Sequence, residues 1–174
     1  MIKLLLVFVG LVMVVGIGYV ALEDTTPAAE QAIDSVTNNP PPAPATEREG
    51  VTLDLSGQDL TQVPSYIFDR PATETLDLSD NDLTGSLPAE VRHLQNLRVL
   101  NLANNNFTGV PAEIGQLGNL EVLDLSNNNL TGLPYELGDL SNLKTLNLSG
   151  NQYAAQDLAI ISAQLPQAVV IIVD

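Results

Sequence analysis

From residue 51 onward the chain repeats itself. LDLSGQDL begins at Leu53, LDLSDNDL at Leu76, LNLANNNF at Leu100, LDLSNNNL at Leu123 and LNLSGNQY at Leu146, so successive starts lie 23, 24, 23 and 23 residues apart. In each L-x-L the two leucines point to one side of a short strand, and the residues before, between and after them point to the other. One face is therefore buried and the other exposed. A strand this short satisfies its backbone only by pairing in parallel with the next copy, so the copies must stack into a coil around one continuous leucine core.

Five places after the first leucine of each copy stand Gln58, Asn81, Asn105, Asn128 and Asn151. An amide both donates and accepts, so these side chains are suited to bonding the turn backbone inside the coil, where an orphaned polar group would cost about 1–3 kcal/mol. The limb that returns after the strand opens with Val63-Pro64, Leu87-Pro88, Val110-Pro111 and Leu133-Pro134. Proline sets an extended start there. Ile114, Leu117 and Leu120, and again Leu137, Leu140 and Leu143, then follow three apart, which predicts short helical or 3₁₀ turns with one apolar edge inward. Thr-Gly pairs at Gly85, Gly109 and Gly132 read as turns.

The pattern L-x-L-x-x-N-x-L at this period, with VPAEIGQLGNLEVLDLSNNNLTG as a clear copy, resembles the leucine-rich-repeat family over residues 51–174. The resemblance implies an α/β fold: a right-handed solenoid with a parallel sheet on the concave face and short helical or 3₁₀ turns on the convex face. It also implies that the amide column forms an asparagine ladder, and that the curved strand face meets proteins or peptides. In the first repeat Gln58 replaces Asn, and Gly50 and Thr73 stand where later repeats have Leu97, Leu120 and Leu143. At the other end Leu158, Ile161 and Leu165 have helical spacing. Val169–Val173, starting 23 residues after Leu146, reads as a closing strand with an apolar outer face at Val170 and Ile172.

Two further segments precede the repeat domain, which we place at 50–174. Residues 1–22 contain Leu4–Leu22, a run without charge that as a helix would span about 28 Å, close to a bilayer core. It reads as a transmembrane anchor or a cleaved signal, the length favouring the anchor. With Lys3 before it and Glu23 and Asp24 after it, either reading sends the repeats out of the cytoplasm, membrane-bound if the run is kept and secreted if it is cleaved. Residues 23–49, rich in Pro, Ala, Thr and acids, read as a disordered linker.

The formal charge of −15, from 21 acids against 6 Lys and Arg, repels phosphate backbones and argues against a nucleic-acid partner. With no cysteine the chain has no thiolate nucleophile, and no other catalytic, cofactor-binding or metal-binding signature is visible. His93, the single histidine, is expected on a solvated outer turn. The triplets starting at Asn106, Asn129 and Asn147 match a glycosylation sequon that the repeat consensus itself generates.

The exposed strand face remains as the candidate binding surface. Its outward positions are Thr52, Asp54 and Ser56; Thr75, Asp77 and Ser79; Val99, Asn101 and Ala103; Val122, Asp124 and Ser126; and Thr145, Asn147 and Ser149. Glu74, Asp80, Arg98, Glu121 and Lys144 flank them. Because Asp54, Glu74, Asp77 and Asp80 fall in the first two repeats, a partner docking there should be basic. The expected function is a membrane-tethered, extracytoplasmic module for protein or peptide binding. The alternative is a structural, self-associating surface protein that uses its last strand.

Overall fold

The computed structural model describes residues 50–174. Six short parallel strands form the main sheet: β1 (Val51–Asp54), β2 (Thr73–Asp77), β4 (Val99–Asn101), β6 (Val122–Asp124), β7 (Thr145–Asn147) and β8 (Val170–Ile172), hydrogen-bonded in that order. Each copy aligns with the next without offset, Leu76 with Leu100, Leu100 with Leu123 and Leu123 with Leu146. The inward leucines of the strands are fully buried from Leu76 and Leu78 through Leu146 and Leu148. They meet Val91, Ile114 and Leu137 from the return limbs in a single, mainly aliphatic core that also holds Phe68 and Phe107. The α/β leucine-rich-repeat solenoid is thus the architecture of this chain.

The return limbs are the 3₁₀ turns Ser65–Asp69, Ala89–His93, Ala112–Gln116 and Tyr135–Asp139, each entered through the proline read from the sequence. Proline suits that position because its backbone nitrogen is not needed as a donor, while its carbonyl accepts the first 3₁₀ bond, as in Ile67 N–H to Pro64 O at 3.2 Å.

Two local expectations are corrected. The Thr-Gly pairs at Gly85 and Gly109 are not turns: β3 (Thr84–Ser86) and β5 (Asn106–Gly109) pair in parallel as a second, two-stranded sheet. Repeats stacked in register bring these extended segments side by side as they do the main strands, and pairing is how such backbones satisfy their donors and acceptors. At the far end α1 (Ala155–Gln164) spans the residues with helical spacing, where the earlier repeats have 3₁₀ turns, but Ile171, not Val169, aligns with Leu146. An α-helix advances only about 1.5 Å per residue against about 2.0 Å for 3₁₀, so more residues are consumed before the chain returns to the sheet.

Candidate functional site

Parallel register turns each strand position into a column running across the sheet. The residues between the leucines form the column Asp54, Asp77, Asn101, Asp124, Asn147, Ile172. All but the last carry a side-chain oxygen, and it is used locally. Oδ1 of Asp77 accepts the Ser79 N–H at 2.9 Å and the Ser79 hydroxyl at 2.6 Å, and Asp124 does the same with Ser126 at 2.9 and 2.6 Å. Such Asx-type bonds turn the chain sharply out of the strand. The second oxygens of these acids accept from the next repeat: Asn101 Nδ2 donates to Asp77 Oδ2 and Asn147 Nδ2 to Asp124 Oδ2, each at 3.0 Å.

Asp54 differs. Its Oδ1 accepts the Ser56 N–H at 3.0 Å and the Ser56 hydroxyl at 2.7 Å, and these two bonds, the backbone one first, hold its carboxyl below the usual range. Its other oxygen has no partner among the described residues. Ser79, Ala103 and Ser126, expected to point outward, are buried, because the Asx bond folds that position under the turn.

One residue upstream the sheet is rimmed by Glu74, Arg98, Glu121 and Lys144, which alternate in sign along the stack. Arg98 donates to Glu121 Oε1 from Nε at 3.0 Å and from Nη2 at 2.6 Å, and the Lys144 ammonium bonds the other oxygen, Oε2. Lys144 first and Arg98 second hold the Glu121 carboxyl low, while Glu121, with a smaller contribution from Glu74, raises the Arg98 guanidinium. The rim is thus nearly neutral along most of its length. Glu74 and the outer flank of Lys144 are its two unequal ends. Between rim and carboxylate column lie Thr75, Val99, Val122 and Thr145, all half-buried.

The amide column of the interior is hydrogen-bonded throughout its length. Asn81 accepts at Oδ1 from the Gln58 and Leu60 N–H groups at 3.0 and 2.9 Å and donates to Leu55 O at 2.9 Å. Asn105 links Leu83 N–H to Leu78 O, Asn128 links Phe107 N–H to Leu102 O, and Asn151 links Leu130 N–H to Leu125 O. Gln58 departs from the expected set. It is exposed and enters only through its backbone N–H, because its side chain has no preceding repeat among the described residues whose turn it could bond.

Two columns went unread in the sequence. Gly57, Asp80, Asn104, Asn127 and Gly150 each precede the interior amide and all have φ between 51° and 70°, a region that glycine, asparagine and aspartate tolerate best. Asn104 Nδ2 donates to Asp80 Oδ1 and Asn127 Nδ2 to Asn104 Oδ1, both at 2.8 Å, so Asp80 is partly occupied as well. On the return limbs Asn96, Asn119 and Asn142 donate to Pro71 O, Gln95 O and Gly118 O of the preceding repeat. Their signal was the N-L pair recurring at the repeat period.

Among the described residues no group of three or more His, Cys, Asp or Glu could hold a metal ion, and His93 is exposed on its outer turn. No helix among them is long and apolar enough to cross a membrane; the Leu4–Leu22 run and the linker at 23–49 lie outside the described residues.

Stacked parallel strands, an interior amide ladder and a strand face of side chains define a repeat solenoid whose chemistry is that of a contact surface. The family model described as leucine rich repeat matches residues 51–107 and 95–152, more than half of the chain, and the chain belongs to that family. It is similar to Receptor-like protein 41 of Arabidopsis thaliana, 49% identical over 51 residues, 29% of this chain and 6% of that one. The matched part spans less than a tenth of the curated relatives. Among solved structures, a leucine-rich-repeat protein of Leptospira interrogans superposes with a TM-score of 0.60 at 40% identity, covering 64% of this chain and 28% of the other. The plant peptide hormone receptor RGFR1, in complex with RGF2, superposes with a TM-score of 0.53 at 35% identity, covering 63% and 18%.

Proposed function

We propose that this chain is a membrane-tethered, extracytoplasmic module that binds a protein or peptide on its strand face. The observation that carries the reading is the column Thr75, Val99, Val122, Thr145. Four half-buried apolar or methyl-bearing side chains cross the sheet together, and none of them is tied up by a side-chain hydrogen bond among the described residues. Desolvating such a strip costs little, whereas the neighbouring carboxylates would have to give up bonds they already make. Similarity to RGFR1, a peptide hormone receptor, supports a peptide as the partner. Asp54, with one oxygen unbonded among the described residues, together with Glu74, which has no ion-pair partner among them, favours a basic segment over the first two repeats. Residues 1–22 serve as the anchor and 23–49 as the spacer.

Affinity capture with the full chain tests the reading. Val122→Arg should abolish capture of the partner, whereas Gln116→Arg on an outer turn should leave it intact, with equal thermal melts for both variants. The reverse pattern would move the binding surface to the outer turns.

One observation favours the second reading, a self-associating structural protein. At β8 the polar column ends in Ile172, 42% exposed, next to Val170 at 58%, a sheet margin guarded among the described residues by Asp174, whose carboxylate accepts the Gly150 N–H. Light scattering of the purified chain decides: a monomer rejects this reading, and an oligomer dispersed by Val170→Lys adopts it.

A further inference from the structure

The outer turns do not all pack alike. At Gly115 an added Cβ would run into the Glu136 carbonyl, and at Gly138 into the Gln164 side chain, so these turns sit directly against their successors. The equivalent position in the first repeat is Phe68, a large ring that is itself buried. The second repeat also carries an extra residue, Ser86, where the register of β3 against β5 slips. A ring where the third and fourth repeats have only hydrogen, and a longer approach to the next turn, hold Ser65–Asp69 and Ala89–His93 apart.

The space left is a hollow of about 370 Å³ floored by Phe68, Val63 and Pro88 and rimmed by Asp69, Glu90 and His93. It lies on the return limbs, away from the strand face. Neither carboxylate has an ion-pair partner among the described residues, where the pairs are Arg92 with Glu113, and Arg98 and Lys144 with Glu121. No lysine or arginine lines the hollow.

We propose that this hollow is a second binding site, separate from the strand face, that takes an arginine side chain presented by a protein partner. An apolar floor under two carboxylates matches a side chain with an aliphatic stem and a cationic head. The carboxylates come from different turns, and a guanidinium with five N–H donors in a planar fork can serve two acceptors where a compact ammonium favours one. The same plane stacks on an aromatic floor.

The test is titration of the isotopically labelled full chain, in non-ionic detergent, with N-acetyl-arginine N-methylamide, followed by amide chemical shifts. Saturable shifts confined to residues 65–69 and 89–93 are expected. N-acetyl-norleucine N-methylamide, of similar length without charge, should produce none. The Asp69→Asn/Glu90→Gln variant, which keeps the shape of the hollow, should bind about tenfold more weakly, the loss of about one charge-assisted hydrogen bond. Shifts that instead map to Asp54 and Asp77, no shifts at all, or undiminished binding by the double variant would each overturn the proposal. Asp54→Lys, which alters the strand face, should leave this titration unchanged, so failure here is distinguishable from failure of the strand-face reading.

Discussion

The Asn105 side chain donates to the Leu78 carbonyl at 2.9 Å across 27 residues of sequence, inside a core from which water is excluded. The same side chain accepts the Leu83 N–H at 3.1 Å and reaches the carbonyls of Leu102 and Ala103 in its own turn. Asn105→Ala therefore leaves the buried Leu83 N–H unpaired and removes one of the two donors from each of the Leu78, Leu102 and Ala103 carbonyls. We expect a loss of about 1–3 kcal/mol in urea melts. Asn106, exposed and with only a 3.4 Å side-chain contact to Asn129, should lose far less on the same substitution. Equal losses would show that the interior amide column carries no special weight.

Asp77 and Asp54 occupy the same column and should behave differently. Asp77 uses both carboxylate oxygens, three bonds in all, whereas Asp54 uses one oxygen and leaves the other unbonded among the described residues. Asp77→Lys should cost about 1–2 kcal/mol of stability, and Asp54→Lys only a few tenths. Reversal of strand-face charge is thus not fold-neutral everywhere, and Asp54→Lys is the clean probe for a basic partner. Matching melts for the two variants would contradict the bond pattern.

Thr73 stands where Leu97, Leu120 and Leu143 stand in later repeats, fully buried, and its hydroxyl has no partner among the described residues. Thr73→Val exchanges that hydroxyl for a methyl of nearly the same size. It should stabilise the domain by about 1 kcal/mol, since a buried unpaired polar group is removed and no hydrogen bond is lost. A lower melting temperature would show that the hydroxyl has a partner in solution.

The acid limb of the stability curve follows from Glu121 and Asp54, whose carboxyls are held low by Lys144 with Arg98 and by Ser56 respectively. A carboxyl with a depressed folded-state pKa contributes stability above its unfolded pKa and loses it as pH falls through the folded one. Stability should therefore decline as pH drops below about 5. Glu121→Gln should flatten part of that decline, and added salt should mimic it because the pairs are exposed. Chemical denaturation at a series of pH values reads this directly; an unchanged slope in Glu121→Gln would remove the rim from the account.

The anchor proposal predicts that the full chain pellets with membranes and retains Met1, whereas a chain beginning near Thr46 stays in the supernatant. N-terminal sequencing that starts at Tyr19 or Leu22 would establish a cleaved signal and a secreted protein.

Much of the fold was legible before any coordinates. A leucine pair at a 23-residue period leaves only parallel stacking, so strand order, register from Leu76 to Leu146 and the inward amides followed from spacing. That information is local and repeated, which is why one sequence sufficed. The tertiary structure alone decided how each exposed group is used. Asp77 looks like a free acid in the sequence, but the next strand brings Asn101 to its second oxygen. Ser79 looks outward until the Asx bond folds it under. Thr84–Ser86 become a strand only because Asn106–Gly109 arrive beside them, and the hollow over Phe68 exists only because two outer turns stand apart. Apart from the Ser79 bond, which is made within its own turn, each of these depends on a distance between repeats, and spacing along the chain determines which residues neighbour one another without determining which hydrogen bonds those neighbours make.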